Sequence, residues 1–162
     1  MLHGVFSLST ALKEIIIPDT VVKMGPETFW GCKELKKVNI PKKVDTISNG
    51  TFVCCTSLES ITIPSNVTSI GANAFGVCEN LSSIIIPSSV TAIGDYAFSG
   101  CRNLLNITIP ASVTTMGSNV FQGNPILTSV NVSFKEGEQP AGWNENWNVL
   151  SDGYTVTVNY AK

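Results

Sequence analysis

"AFGVCENLSSIIIP" occupies residues 74–87, and "AFSGCRNLLNITIP" occupies residues 97–110, twenty-three positions later. The two stretches share Ala-Phe, a cysteine, a leucine, two spaced isoleucines and a proline. Extending the comparison outward shows that the coincidence is a period. Proline recurs at 18, 41, 64, 87 and 110, phenylalanine at 6, 29, 52, 75, 98 and 121, and leucine at 12, 35, 58, 81, 104 and 127. Cysteine recurs at 32, 55, 78 and 101, and the next slot holds Asn124. Met24, Ile47, Ile70, Ile93 and Met116 form a fifth row, with Met1 one step earlier.

Each unit reads L-x-x-I-x-I-P-x-x-V-x-x-I-G-x-x-A-F-x-x-C-x-x. The segment I-x-I alternates and is β-branched, which predicts a short strand. The proline ends it, because proline cannot donate to a ladder. The V-x-x-I-G-x-x-A-F spacing predicts a turn-like, 3-10 or short helical return. The glycine row at 25, 71, 94 and 117, interrupted by Ser48, is expected to supply a backbone angle that other residues resist. A unit this short cannot bury its own apolar face, but stacked copies can. The expected fold is therefore an α/β-type solenoid. Strands 15–17, 38–40, 61–63, 84–86, 107–109 and 130–132 should form a single parallel sheet, with the returns on the opposite side and a C-terminal cap. Residues 1–133 are expected to be the solenoid, with a partial first repeat at 1–11, and residues 134–162 its capping segment.

These residues resemble the BspA-like, or TpLRR-type, leucine-rich repeat family. The pattern is carried by "LESITIPSNVTSIGANAFGVC" (58–78) and "LSSIIIPSSVTAIGDYAFSGC" (81–101), and the resemblance covers about residues 1–133. The tail "FKEGEQPAGWNENWN" (134–148), followed by "YTVTVNY" (154–160), is similar to the closing segment of such arrays. The resemblance implies a cell-surface or secreted protein that adheres to host matrix or cells, and it brings no catalytic residues.

Composition narrows the chemistry. The chain has 162 residues, 43% hydrophobic and 14% charged, with a net charge of -2, which gives no global pull toward nucleic acid or anionic lipid. Charge is uneven: seven lysines against four carboxylates in residues 1–43 leave +3, and the remainder sums to -5. No apolar run reaches the length of a membrane span. The five cysteines lack a C-x-x-C cluster, and the single histidine is His3, so no metal site is expected. Stacked cysteines with parallel Cβ vectors sit too far apart to bridge, so free thiols are expected, with Cys54 the most exposed. No nucleophile-base pair or phosphate loop occurs, so neither an enzyme nor a cofactor is expected. Trp143, Trp147, Tyr154 and Tyr160 are expected to cover the last rung, with sugar stacking as the alternative.

A binding surface is expected where packing leaves the residues unconstrained. Between the inward leucine and isoleucines, three columns face outward. The first is Lys13, Lys36, Glu59, Ser82, Leu105 and Thr128; the second is Glu14, Lys37, Ser60, Ser83, Asn106 and Ser129; the third is Ile16, Asn39, Thr62, Ile85, Thr108 and Asn131. The functional expectation is a non-enzymatic extracellular interaction or adhesion module with a protein or glycan ligand and no nucleic-acid partner. The alternatives are a structural spacer and an intracellular scaffold. The first rung is expected to be open, so that the chain is part of a longer array, folds residues 1–14 over that rung, or pairs there with a second copy.

Overall fold

The computed structural model describes residues 3–151 and 154–162, so the expected place of Met1 lies outside the described residues. The chain winds as a parallel β-solenoid whose successive turns are the successive repeats. On the first wall lie β1 (Glu14–Ile15), β2 (Lys37–Val38), β4 (Ser60–Thr62), β6 (Ser83–Ile85), β8 (Ile107–Ile109), β10 (Ser129–Val132) and β14 (Thr157–Asn159). They stack in that spatial order, and every hydrogen-bonded pair among them is parallel; those between repeats keep the 23-residue register, such as Ile61 on Ile84 and Asn131 on Thr108, and β14 pairs with β10 at an offset of 28, Ser129 on Thr157. The strands begin one residue earlier than the pattern predicts in five of the six repeats.

The return is not helical. No helix occurs among the described residues, and the return carries a second parallel sheet instead. It consists of β3 (Thr46–Ile47), β5 (Ser69–Ile70), β7 (Ala92–Ile93), β9 (Thr115–Met116) and β11 (Gly142–Trp143). The expectations of a single sheet and of 3-10 or helical returns are both overturned. Two features stop a helix. The N–H groups of the return point along the solenoid axis to the next rung: Phe29 donates to Thr51 O, Phe52 to Ala74 O and Phe75 to Ala97 O, each at 2.9 Å. In addition, two positions per turn are left-handed. One is the row Leu8, Gly31, Cys54, Val77, Gly100 and Gly123, and the other is Gly4, Glu27, Gly50, Asn73, Tyr96 and Asn119, all with φ between 52° and 75°. A left-handed residue ends any right-handed helical progression.

The glycine row also works differently from the expectation. Gly71, Gly94 and Gly117 do not adopt left-handed angles; they are sites of close approach between rungs. A Cβ on Gly94 would stand 2.5 Å from the Ala72 nitrogen and 2.8 Å from the Gly71 carbonyl carbon. Ser48, in the same slot, instead donates its hydroxyl to Met24 O at 2.7 Å.

The core is a set of single-residue stacks along the axis. Leu35, Leu58, Leu81 and Leu104 are fully buried, as are Val67, Val90 and Val113. Phe6, Phe29, Phe52, Phe75, Phe98 and Phe121 stack with near-parallel rings, the centroids 5.3–6.1 Å apart. Offset parallel stacking at this spacing adds to the area term. The regular stack ends at Trp147, which meets Phe121 edge-on at 74° and is itself met edge-on by Trp143.

Residues 134–162 do not sit apart from the array as a lid. They continue both walls by one irregular turn, β11 on β9 and β14 on β10. They also add the antiparallel pair β12 (Val149–Ser151) and β13 (Tyr154–Thr155), which has no counterpart in the repeats. At the other end, residues 4–8 supply the return of a partial rung. Gly4, Phe6 and Leu8 donate to Pro26 O, Thr28 O and Trp30 O.

Candidate functional site

Alternation along each short strand decides which side chains face outward. In β4, Ile61 is buried between exposed Ser60 and Thr62; in β6, Ile84 is buried between exposed Ser83 and Ile85. The three expected columns therefore stand together on the first wall. All eighteen residues are exposed or half-buried; Ser129 and Asn39 are the half-buried ones.

This surface is not uniform. Glu14 and Lys37 are register partners on adjacent strands and pair at 3.1 Å, and Lys13 reaches Glu34 at 3.7 Å. Both pairs lie in solvent, where such contacts contribute little to stability. Asn39 has a structural duty: its Oδ1 accepts from the Ile17 N–H at 2.7 Å and its Nδ2 donates to the Ile17 carbonyl at 2.8 Å. It substitutes a side chain for the backbone pairing that ends at β1. Asn131 likewise accepts from Asn159 Nδ2 at 3.0 Å. Ile16 and Ile85 are more than four-fifths exposed, and Leu105 is exposed as well. A shallow groove of about 550 Å³ runs beside Lys36, Lys37, Asn39, Lys42, Ser60 and Thr62.

The cysteine row is part of the interior. Cys32, Cys55, Cys78 and Cys101 are fully buried, free thiols, and Cys54 is half-buried. Each of the four donates its S–H to the carbonyl of the phenylalanine 26 residues earlier, at 3.0–3.2 Å. Burial raises all four thiols above the ordinary value of 9.0, and Cys101 is pushed up to about 12. A thiol held neutral in this way is a poor nucleophile and a poor metal ligand. Among the described residues, no three His, Cys, Asp or Glu side chains are grouped so as to hold a metal ion.

The sugar-stacking alternative for the two tryptophans is excluded by their burial. Trp143 and Trp147 are in the core, and the Trp143 indole donates to Val113 O at 2.9 Å. Tyr154 and Tyr160 remain exposed, Tyr154 the more so.

The repeat, its register and its glycine spacing match the model of the BspA type leucine rich repeat region, in six copies over residues 3–133. The chain belongs to that family. Among solved structures, the BspA-type chain is similar to the T. pallidum leucine-rich repeat protein at 32% identity and a TM-score of 0.70, covering 73% of this chain and 57% of that one. It is similar to the pneumococcal vaccine antigen PcpA at 30% identity and a TM-score of 0.67, over 75% of this chain and 30% of that one. A leucine rich cell surface protein from Faecalibacterium prausnitzii matches at 32% identity and a TM-score of 0.59, over 75% and 39%. The similarity thus spans from under a third to just over half of each relative's length. No curated protein matches the chain. Membership in this leucine-rich repeat family implies a protein-interaction module on a generally non-enzymatic fold. Among the described residues, no helix is long and apolar enough to cross a membrane.

Proposed function

We propose that this chain is an extracellular recognition module that adheres to host matrix or cell-surface molecules through the first wall. The observation that carries the reading is the three-column face. Its eighteen residues stand clear of the packed interior, and their side-chain ties between rungs are few: the Asn39 and Asn131 hydrogen bonds and the solvent-exposed Glu14–Lys37 and Lys13–Glu34 pairs. Two relatives, one described as a cell surface protein and one as a vaccine antigen, support the location. Residues 134–162 act in this reading as the closing segment of the array, turning the phenylalanine stack into edge-on tryptophan contacts.

The face contains no Trp, Tyr or Arg, the residues that dominate tight hot spots. Each contact is therefore weak, and useful adhesion comes from many copies or a longer array acting together. The same composition favours a second reading, a spacer that presents another domain.

The test compares parent, Lys36→Glu/Lys37→Glu and Ile85→Ser/Leu105→Ser chains for binding to immobilised host matrix proteins and to epithelial cells. Exposed substitutions should leave stability within about 0.5 kcal/mol. Phe75→Ala should cost about 3–5 kcal/mol and serves as the folding control. Reduced binding by either face variant supports adhesion through this wall. Binding equal to the parent's, or no binding by any chain, supports the spacer.

A further inference from the structure

Shallow grooves lie along the repeats, beside Lys36 and beside Met24, and another recess lies where the regularity breaks. The break lies between the last repeat and the pair β12–β13. That pair is held at both ends: Gly123 N–H donates to Leu150 O at 2.7 Å, and Thr157 N–H donates to Thr128 O at 3.1 Å. Near these two anchors lies an open recess of about 590 Å³, bordered by Gly123, Asn124, Pro125 and Leu127 on one side and by Leu150, Ser151, Tyr154 and Thr155 on the other. That volume lies within the range of small-ligand sites.

The lining has mixed chemistry. Arg102 enters from the rung below, Thr128, Ser151 and Thr155 bring hydroxyls, Tyr154 brings a ring, and Leu127 and Leu150 supply the apolar part. Arg102 is only loosely engaged, with Glu79 at 3.8 Å in solvent. Tyr154 is 73% exposed beside the cavity. Asn124 also lines it. Its Nδ2 donates to Phe98 O at 2.9 Å, and its buried Oδ1 has no donor among the described residues. A buried acceptor without a donor is uncommon in native structures and marks this end of the row as different from the cysteine slots.

We propose that this recess is a glycan subsite for a sugar ring that carries a carboxylate, a sialic or a uronic acid. A pyranose has an apolar face that an exposed tyrosine ring covers, and an edge of hydroxyls that the Thr, Ser and Asn groups match. The guanidinium of Arg102 binds the carboxylate, planar against planar, and displaces the loose Glu79 contact. The subsite lies on the C-terminal side of the solenoid and shares only Thr128 with the three-column face, so the test at Lys36 and Lys37 keeps the two readings apart.

The experiment records amide NMR spectra of the 162-residue chain while titrating four probes: sialyllactose, a glucuronate-terminated disaccharide, lactose and tetraglutamate. One of the two acidic sugars should shift signals of residues 102, 123–128, 150, 151, 154 and 155, and which one does so distinguishes a sialic from a uronic acid. Lactose should bind at least about tenfold more weakly, a difference of about 1.4 kcal/mol. Arg102→Gln should abolish the preference for acid over lactose, Arg102→Lys should restore part of it, and Tyr154→Ala should weaken both sugars. Lys36→Glu/Lys37→Glu should bind like the parent. Unchanged melting temperatures establish that the variants are folded. The proposal is overturned if neither acidic sugar shifts these signals, if lactose binds as well as they do, if tetraglutamate binds more tightly, or if Arg102→Gln keeps the preference.

Discussion

The thiol of Cys78 donates to the carbonyl oxygen of Phe52 at 3.2 Å, and that same oxygen accepts the N–H of Cys55 at 3.1 Å. One carbonyl thus ties its own turn and binds the next rung. Asn124 makes the equivalent bond to Phe98 O with its Nδ2 but leaves Oδ1 unsatisfied. The slot calls for a small donor with nothing left over. Asn124→Cys should therefore raise stability by about 1 kcal/mol, and Cys78→Asn should lower it by about 1–3 kcal/mol through the orphaned acceptor. Urea unfolding of the two variants checks both signs.

Burial of the four core thiols makes them slow to react and makes the fold alkali-sensitive. Native protein should show at most about one fast-reacting thiol, Cys54, and all five once denatured. Fast labelling of four or more in the native state would refute the interior assignment.

The pH dependence follows from the sign of the shift. The folded thiols titrate above the ordinary value of 9.0, so both states are protonated below it and the full stability is present there. Above that value the unfolded chain releases protons that the folded chain retains, and stability falls until the folded thiols also ionise. The slope approaches about 1.4 kcal/mol per pH unit for each such thiol. Unfolding under reducing conditions at pH 7.5 and pH 10 should show the loss, and Cys101→Ala should make the slope shallower. A flat profile would count against it.

Val77 is β-branched yet sits at φ 57°, in the row that glycine fills at 31, 100 and 123. Such a conformation costs on the order of 1–3 kcal/mol. Relief of that strain outweighs the chain entropy that glycine adds, about 0.4–1 kcal/mol. Val77→Gly should raise the melting temperature, and a lowered one would show that the side chain's contacts dominate.

Gly94 requires the opposite treatment. A methyl group there meets backbone on the neighbouring rung at 2.5 Å, and backbone cannot rotate away. Gly94→Ala should cost about 1–3 kcal/mol, as overpacking does. Calorimetry of the single variant checks it.

Much of this architecture was legible in the sequence, for a physical reason. Rows such as Phe29 to Phe121 and Leu35 to Leu104 must each fit the same cross-section, so the repeat is written in side-chain size. The columns between them were readable by alternation alone. The second sheet was not, because strands of two residues such as Ser69–Ile70 show no alternation. The left-handed row of Gly4, Glu27, Gly50, Asn73, Tyr96 and Asn119 was hidden because the stack enforces that angle on residues with no shared chemistry. The recess beside Arg102 had no signal either: it arises where the period stops, and periodicity is silent about its own end.

The bonds joining the rungs all run along one axis, and this makes the molecule mechanically anisotropic. Phe52 to Ala74, Phe75 to Ala97 and Phe98 to Val120 are successive links of the same line. A force applied between the two termini loads those links in series, so rungs peel one at a time at low tension. Each released turn lengthens the chain by about 7–8 nm. A force applied sideways on the first wall is shared by many links in shear and meets far stiffer resistance. Under flow, a molecule held through that wall stays folded at loads that would unravel the same molecule held by its ends.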